Sequence, residues 1–240
     1  MTEIIASLRE AEKKFFFNQV LTDINLTVNR GEIVGLIGPE ESGKTTCLRC
    51  LIGMEDLTGG EAHVLNKKMP KLSVLNRIGY MSQETALYET LTAYENMVFF
   101  GKLKNLKGRN LKDEIDKKLR LVELQDAGHK AVSKFSNSMK RRLSLAITLL
   151  GEPPFIVLDE PTAGIDPKSR IWVWNQLRAL ADAGTGIIVA TQMMSEAEQC
   201  DTAALLMDGK IFAQGKPKKL MDEFNASTIE EVFINKEAVI

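Results

Sequence analysis

Residues 20–28, VLTDINLTV, alternate apolar and polar side chains, the pattern of a half-exposed antiparallel strand. After a turn at Asn29-Arg30-Gly31, residues 32–38, EIVGLIG, are nearly all apolar and read as a strand covered on both faces. Residues 44–52 then take helical spacing and stop at Gly53. A turn-rich stretch at 58–70 leads to a short strand ending in Gly79-Tyr80-Met81. From Thr90 to Leu124 the spacing is charged and helical with no strand signal, which predicts a helical insertion over about 83–150. Strand signals return at 155–159 (FIVLD), 186–191 (GIIVAT) and 203–207 (AALLM), and Asp208-Gly209 before KIFAQG predicts a hairpin. Strands alternating with helices around a helical insert predict a mainly parallel sheet. The segment 223–240 is polar with one apolar stripe, expected to form a helix packed on the edge.

Composition narrows the class. At 44% hydrophobic and 26% charged, the 240-residue chain can bury a globular core. Its 31 Lys+Arg against 32 Asp+Glu argue against a basic nucleic-acid groove. No apolar run approaches the ~18–20 residues of a membrane span, and the opening MTEIIASLREAEKK has no basic region before an apolar stretch, so no signal peptide is expected. Three cysteines make no disulfide framework, and two histidines leave little room for a His-rich metal site. The expectation is an intracellular α/β protein.

The strongest chemical signal is Gly38-Pro-Glu-Glu-Ser-Gly43-Lys44-Thr45, a match to G-x-x-x-x-G-K-[ST] that follows a buried-strand pattern and opens a helix. Backbone N–H groups from Gly38 through Glu41, Ser42, Gly43 and on to Thr46 are expected to hold phosphate oxygens at the helix N-terminus. Lys44 is expected to reach the β- and γ-phosphates, and Thr45 to offer a hydroxyl to Mg²⁺. A chance Gly-Lys-Thr turn is the competing explanation, and the strand–loop–helix placement weighs against it. A second apolar strand ends in Asp159-Glu160. Asp159 is placed to hold Mg²⁺, and Glu160 to act as general base on the attacking water. Alone, that pair is also what any acidic strand end looks like; beside the loop it points to a nucleotide site. Asn66-Lys67-Lys68-Met69 lacks the Asp of a guanine-reading motif, which favours ATP.

Further motifs lie in order along the chain: Tyr80-Met81-Ser82-Gln83, then Phe135-Ser136-Asn137-Ser138-Met139 with Lys140-Arg141-Arg142, then Pro161-Thr162-Ala163-Gly164-Ile165-Asp166-Pro167. Ser136 stands 23 residues before Asp159. In these features the chain resembles the nucleotide-binding subunit of an ABC transporter, nearly from end to end. TAGIDP, MKRRLSLA and Thr228-Ile-Glu-Glu-Val-Phe233 are similar to the branch exporting drugs, sodium or lipids.

The resemblance implies a P-loop NTPase fold, α/β, with a RecA-like parallel core sheet, an antiparallel β-subdomain and an α-helical subdomain. Within one ABC domain over 1–240, it implies a core with β-subdomain at 1–82 and 151–222. The helical subdomain with the signature falls at 83–150 and a tail at 223–240. It implies two subunits sandwiching two ATP molecules head to tail, each site pairing one chain's Walker motifs with the other's signature, and driving a transmembrane permease from the cytoplasmic face of the membrane. Gln83 would contact Mg²⁺ and the attacking water, Asp166 would lie at the dimer interface, and Ser136 and Ser138 would face the neighbour's ATP. Phe15 is the expected adenine-stacking aromatic, within the run Phe15-Phe16-Phe17; core packing is the competing explanation.

Three departures from the family pattern carry consequences. Asn137 and Ser138 replace two glycines of the signature, so side chains stand where a helix N-terminus would approach the partner's γ-phosphate. Gln192 stands where the family has a switch histidine; its amide can donate to phosphate but carries no charge. Losing one preorganised donor costs ~10²–10³ in rate. Glu40-Glu41-Ser42 replaces Asn-Gly-Ala in the phosphate loop. A carboxylate about 8 Å from the triphosphate adds about 2 kcal/mol per charge pair at an effective dielectric of ~20, before screening.

Together they predict an asymmetric transporter in which Lys44, Asp159 and Glu160 work against the intact signature of a more standard ABC subunit, while the altered signature of this chain gives the partner's ATP a second site that hydrolyses slowly. The alternative is a catalytically weak, regulatory ATP-binding partner. A third class, a soluble ABC protein acting on ribosomes or DNA, would call for tandem ATPase domains or a long coiled coil, and no nucleic-acid partner is expected. Cys47-Leu48-Arg49-Cys50 lies inside the first helix, where the two thiols share a core-facing side. Lys140-Arg141-Arg142 reads as a solvated or signature-helix face.

Overall fold

The computed structural model describes residues 3–237. Two sheets share the work. The larger has six strands in the order β10-β9-β3-β8-β7-β6, formed by β3 (Ile33–Ile37), β6 (Ile78–Met81), β7 (Phe155–Asp159), β8 (Gly186–Thr191), β9 (Thr202–Met207) and β10 (Lys210–Gly215). β9, β3, β8, β7 and β6 run parallel, and β10 closes one edge as an antiparallel hairpin with β9. β3, β7 and β8 are buried at every position, which is why they read as unbroken apolar runs.

The smaller sheet has the order β2-β1-β4-β5 and is antiparallel throughout. It is built from β1 (Ile4–Phe15), β2 (Asn18–Asn29), β4 (Gly59–Val64) and β5 (Lys67–Lys68). The stretch 58–70 is not turn alone, since it carries β4 and β5. The alternating residues 20–28 lie within β2, which pairs with β1. Ile5, Leu8, Leu21, Ile24 and Leu26 point from this sheet into a core shared with helix α1 (Lys44–Leu51) and one face of β3, β7 and β8.

The short α2 (Leu72–Leu75) precedes β6, and between β6 and β7 every element of the described chain is helical. Helices α3 (Ala93–Leu103), α4 (Gly108–Leu121) and α5 (Asn137–Thr148) gather a separate cluster around Met97, Ile115, Leu119, Leu143 and Ala146. α3 opens with a reciprocal capping box between Thr92 and Glu95. Helix α6 (Pro167–Asp182) covers the other face of the parallel sheet with Val173, Trp174 and Leu177. The tail forms α7 (Pro217–Glu223) and α8 (Ile229–Glu237). Its apolar stripe, Ile229, Val232 and Phe233, buries against Ile37, Ala203 and Leu205, so it packs over the sheet as well as its edge. Residues 238–240 of the expected tail lie outside the described residues. Among the described residues, no helix is long and apolar enough to cross a membrane.

Candidate functional site: a phosphate-binding cleft at the strand ends

A parallel sheet delivers all its strand C-termini to one edge, and ligands bind there. In this chain that edge carries the loop after β3, Gln192 after β8, Asp159 at the end of β7 with Glu160 next, and Gln83 just after β6. They surround a cleft of about 440 Å³ lined by Glu41, Lys44, Thr45, Gln83, Glu160 and Gln192, with Val20, Glu40, Gly43 and Thr46 completing the wall.

The loop conformation demands its glycines at both ends. A β-carbon on Gly38 would sit 2.2 Å from the Leu206 carbonyl oxygen. Gly43 caps α1 with φ 103°, a left-handed value, and a β-carbon there would meet Leu21 and the Val20 carbonyl. Glu41 holds φ 61° without being glycine. Lys44 curls over the loop, its Nζ donating to the carbonyls of Gly38 at 2.9 Å and Pro39 at 2.7 Å. Burial lowers the Lys44 pKa, against the pull of Glu160, Asp159 and Glu40. Ser42 is buried and its Oγ has no partner among the described residues.

Helix α1 and strand β7 meet at Thr45, whose Oγ1 donates to Asp159 Oδ2 at 2.8 Å. The other Asp159 oxygen is buried and unpaired. Burial raises the Asp159 pKa, and the Thr45 bond, Lys44, Arg49 and Arg141 only partly offset it. A buried carboxylate with one free oxygen, beside a hydroxyl, is a donor set suited to a hard cation. Mg²⁺ fits there.

Glu160 is 5% exposed and sits at φ 50°. Its backbone N–H donates to the Ala190 carbonyl at 2.8 Å, and its Oε1 accepts from the Gln192 N–H, also at 2.8 Å. Burial raises its pKa first of all, with Lys44 and the Gln192 N–H pulling the other way. A raised carboxyl pKa suits a group that must take a proton near neutrality. Gln192 and Gln83 are exposed at the rim.

Other candidates lie elsewhere. Ser136 caps α5, accepting from the Met139 N–H at 3.2 Å. Ser138 Oγ is bonded to Ser169 Oγ at 2.8 Å, and Asp166 caps α6 by accepting from the Ser169 N–H at 3.0 Å. These three do not line the cleft. Neither does Phe15, which is 39% exposed at the end of β1 with Lys13 Nζ 4.4 Å from its ring centroid. Cys47 and Cys50 are buried free thiols, and burial pushes the Cys50 pKa up to about 11. The basic cluster is not simply a solvated face. Arg141 is 8% exposed and reaches the Ser82 carbonyl at 3.4 Å, while Arg142 lies 4.6 Å over the Trp172 ring. Val20 was not evident from the sequence as part of the wall; it follows Gln19 at a register shift between β1 and β2 that no periodicity signals.

The parallel sheet, the glycine-bounded loop and the carboxylate pair at the strand ends define a P-loop nucleotide-binding protein. More narrowly, the chain belongs to the ABC transporter family, whose model matches residues 21–163. It is 34% identical over 236 residues to the Nod factor export ATP-binding protein I of Bradyrhizobium diazoefficiens, covering 97% of this chain and 77% of that protein. It is 34% identical to the daunorubicin resistance ATP-binding protein DrrA3 of Streptomyces coeruleorubidus over 97% of this chain and 74% of the relative. A probable multidrug ABC transporter ATP-binding protein, YbhF of Escherichia coli, is 35% identical, and the chain spans only 41% of its length. In fold, it is similar to an ATP-binding subunit of an ABC transporter with a TM-score of 0.86 at 23% identity, covering 96% of this chain and 98% of that one. The ATP-binding cassette MJ0796, solved as a dimer bound to ADP and Pi, matches with a TM-score of 0.81 at 25% identity over 88% of this chain and 98% of that one.

Proposed function

We propose that this chain is the ATP-binding and ATP-hydrolysing subunit of a membrane exporter, working head to tail with a second, more standard ABC subunit. The observation that carries the hydrolytic reading is the Asp159–Thr45 pair with its one unpaired buried oxygen, set next to Glu160. In this reading the loop N–H groups and Lys44 bind the triphosphate, and Thr45, Asp159 and Gln83 hold Mg²⁺. The ion would supply positive charge against the phosphate oxygens. Glu160, oriented by the Gln192 N–H, takes the proton of the water that attacks the γ-phosphorus as the bond to the bridging oxygen breaks. Phe15 stacks on adenine, and Ser136, Ser138 and Asp166 face the neighbour's nucleotide.

We divide the chain as one ABC domain: core and β-subdomain at 1–82 and 151–222, helical subdomain at 83–150, tail at 223–240. The permease is a separate surface for it to drive, at the cytoplasmic face of the membrane. A largely apolar groove of about 270 Å³ beside Ser82 and Glu84, lined by Leu87, Phe100 and Ile147, supports a partner docked next to Gln83.

A second reading, a weakly catalytic regulatory subunit, is favoured by Ser138, whose hydroxyl is engaged with Ser169 where the family has a glycine. The test is to purify the tagged chain from detergent-solubilised native membranes, identify its partners by mass spectrometry, and compare turnover with Glu160→Gln. A partner ABC subunit carrying LSGGQ and a switch histidine, with phosphate release falling about 10²-fold or more in the variant, supports the motor. Recovery of a permease with this chain alone sinks the heterodimer. Turnover unaffected by Glu160→Gln moves the chain to the regulatory reading.

A further inference from the structure

One buried carboxylate has no part in the nucleotide reading. Glu196 is 3% exposed, in the 3-10 turn Met194–Gln199 that follows the switch position Gln192. Its Oε1 accepts from Thr162 Oγ1 at 2.6 Å and from Trp174 Nε1 at 3.1 Å, and Arg170 Nε stands 3.9 Å away. Its Oε2 is buried with no partner among the described residues. Thr162 is fully buried and belongs to the segment that runs from Glu160 to Asp166, the cap of α6. An unpaired buried oxygen is a cost that stability alone does not explain.

The two segments are tied at two points. The Gln192 N–H donates across to Glu160, and four residues later the Glu196 carboxylate accepts from Thr162, two residues beyond Glu160. Each segment supplies one donor and one acceptor, so neither can shift along the other without breaking a buried bond. Beyond Thr162, Gly164 at φ 70° has open space around it, which lets the chain turn toward Asp166.

We infer that Glu196 is a positioning residue that couples the switch segment to the 162–166 loop, so that a phosphate bound near Gln192 sets the placement of Asp166. This rests on the nucleotide reading above. The Thr162 bond is what transmits the coupling, and it separates the inference from catalysis itself because Thr162 and Glu196 do not line the cleft.

The test measures amide hydrogen exchange over residues 162–166 with and without saturating Mg²⁺ and a non-hydrolysable ATP analogue, alongside the analogue's affinity. Wild type and Thr162→Ser, which keeps the hydroxyl, are expected to show exchange slowed at least about fivefold on binding. Thr162→Val is expected to lose that slowing while its affinity stays within about twofold of wild type. Should Thr162→Val not fold, Thr162→Ala deletes the same hydroxyl at a smaller side chain and carries the same expectation. Equal slowing in wild type and the bond-deleting variant, or none in a wild type that binds the analogue, overturns the coupling. A wild type that does not bind the analogue overturns the nucleotide reading and this inference with it.

Discussion

Glu41 is where side chain and backbone disagree most openly. Its φ of 61° is left-handed, and it lines the cleft beside Lys44. Holding a residue with a β-carbon in that region costs about 1–2 kcal/mol. Its carboxylate adds a second cost only when a triphosphate arrives: about 2 kcal/mol for one charge pair at ~8 Å and an effective dielectric of ~20. Because the side chain is exposed, salt screens this, to about 0.7 kcal/mol at ~0.15 M where the Debye length is ~8 Å, and to about 1.5 kcal/mol at ~0.01 M.

Three substitutions separate the two costs. Glu41→Gln removes charge and keeps strain, so ATP should bind about threefold tighter at ~0.15 M salt and about tenfold tighter at ~0.01 M, with thermal stability unchanged. Glu41→Gly also removes the strain but loosens the unfolded chain by ~0.4–1 kcal/mol. The net is about 0.5–1 kcal/mol of stability, or a Tm rise of roughly 1–4 °C for a chain of this size. Glu41→Asn tolerates the left-handed backbone without that entropic loss and should gain most. Binding is read by anisotropy of a labelled ATP analogue at both salts, and stability by calorimetry. Unchanged affinity for Glu41→Gln at low salt refutes the electrostatic account. A Tm for Glu41→Gly below that of Glu41→Gln refutes the strain account.

Other expectations follow from the same cleft and from the tail. Gln192→His restores a chargeable donor at an exposed rim position and should raise phosphate release at least about tenfold; an unchanged rate in the purified complex counts against the switch as the slow element. Burial holds the Asp159 and Glu160 carboxyls above their ordinary 3.8 and 4.5. The folded state therefore binds those protons more tightly than the unfolded one, and stability falls as pH rises from the ordinary values through the raised ones. Saturating Mg²⁺ and ATP should accordingly raise Tm more at about pH 7.5 than at about pH 5, and an equal gain at both would contradict the assignment. Phe233 is 4% exposed against Phe212, with ring centroids 5.1 Å apart, so Phe233→Ala should cost about 3–5 kcal/mol, read as a lowered denaturation midpoint.

How much of this was legible in the sequence varied with burial. β3, β7 and β8 declared themselves because burial on both faces leaves no polar interruption. The phosphate loop was legible because its glycines and lysine are dictated by backbone geometry. β1 was not. Its register slips at four places along Ile4–Phe15, so inward residues lose the period of two, and five of its twelve side chains are charged. β4 opens with Gly59-Gly60, which reads as a turn, yet Gly60 is there because a β-carbon would lie 2.2 Å from the Glu10 carbonyl oxygen across the sheet. Glu196 was invisible for the opposite reason. Ser-Glu-Ala-Glu-Gln looks like a solvated turn, and only the fold brings Thr162 and Trp174 onto its carboxylate.

The departures from the family pattern leave the central chemical groups in place. Lys44 and Thr45 at the start of α1, and Asp159 and Glu160 at the end of β7, the groups that would hold phosphate, metal and proton, are all present. Gln192 and Glu41 stand at the exposed rim of the cleft, Ser42 is buried within the loop, and Asn137 and Ser138 lie at the start of α5, outside the cleft. Ser138 also does more than fill a vacancy: with Ser169 it links the first turn of α5 to the first turn of α6, whose cap is Asp166. Returning it to glycine would open the helix terminus but delete a bond worth about 1 kcal/mol. A signature that has been wired into the neighbouring helix is a specialised surface, which favours a chain that keeps its own chemistry and offers an altered face to its partner.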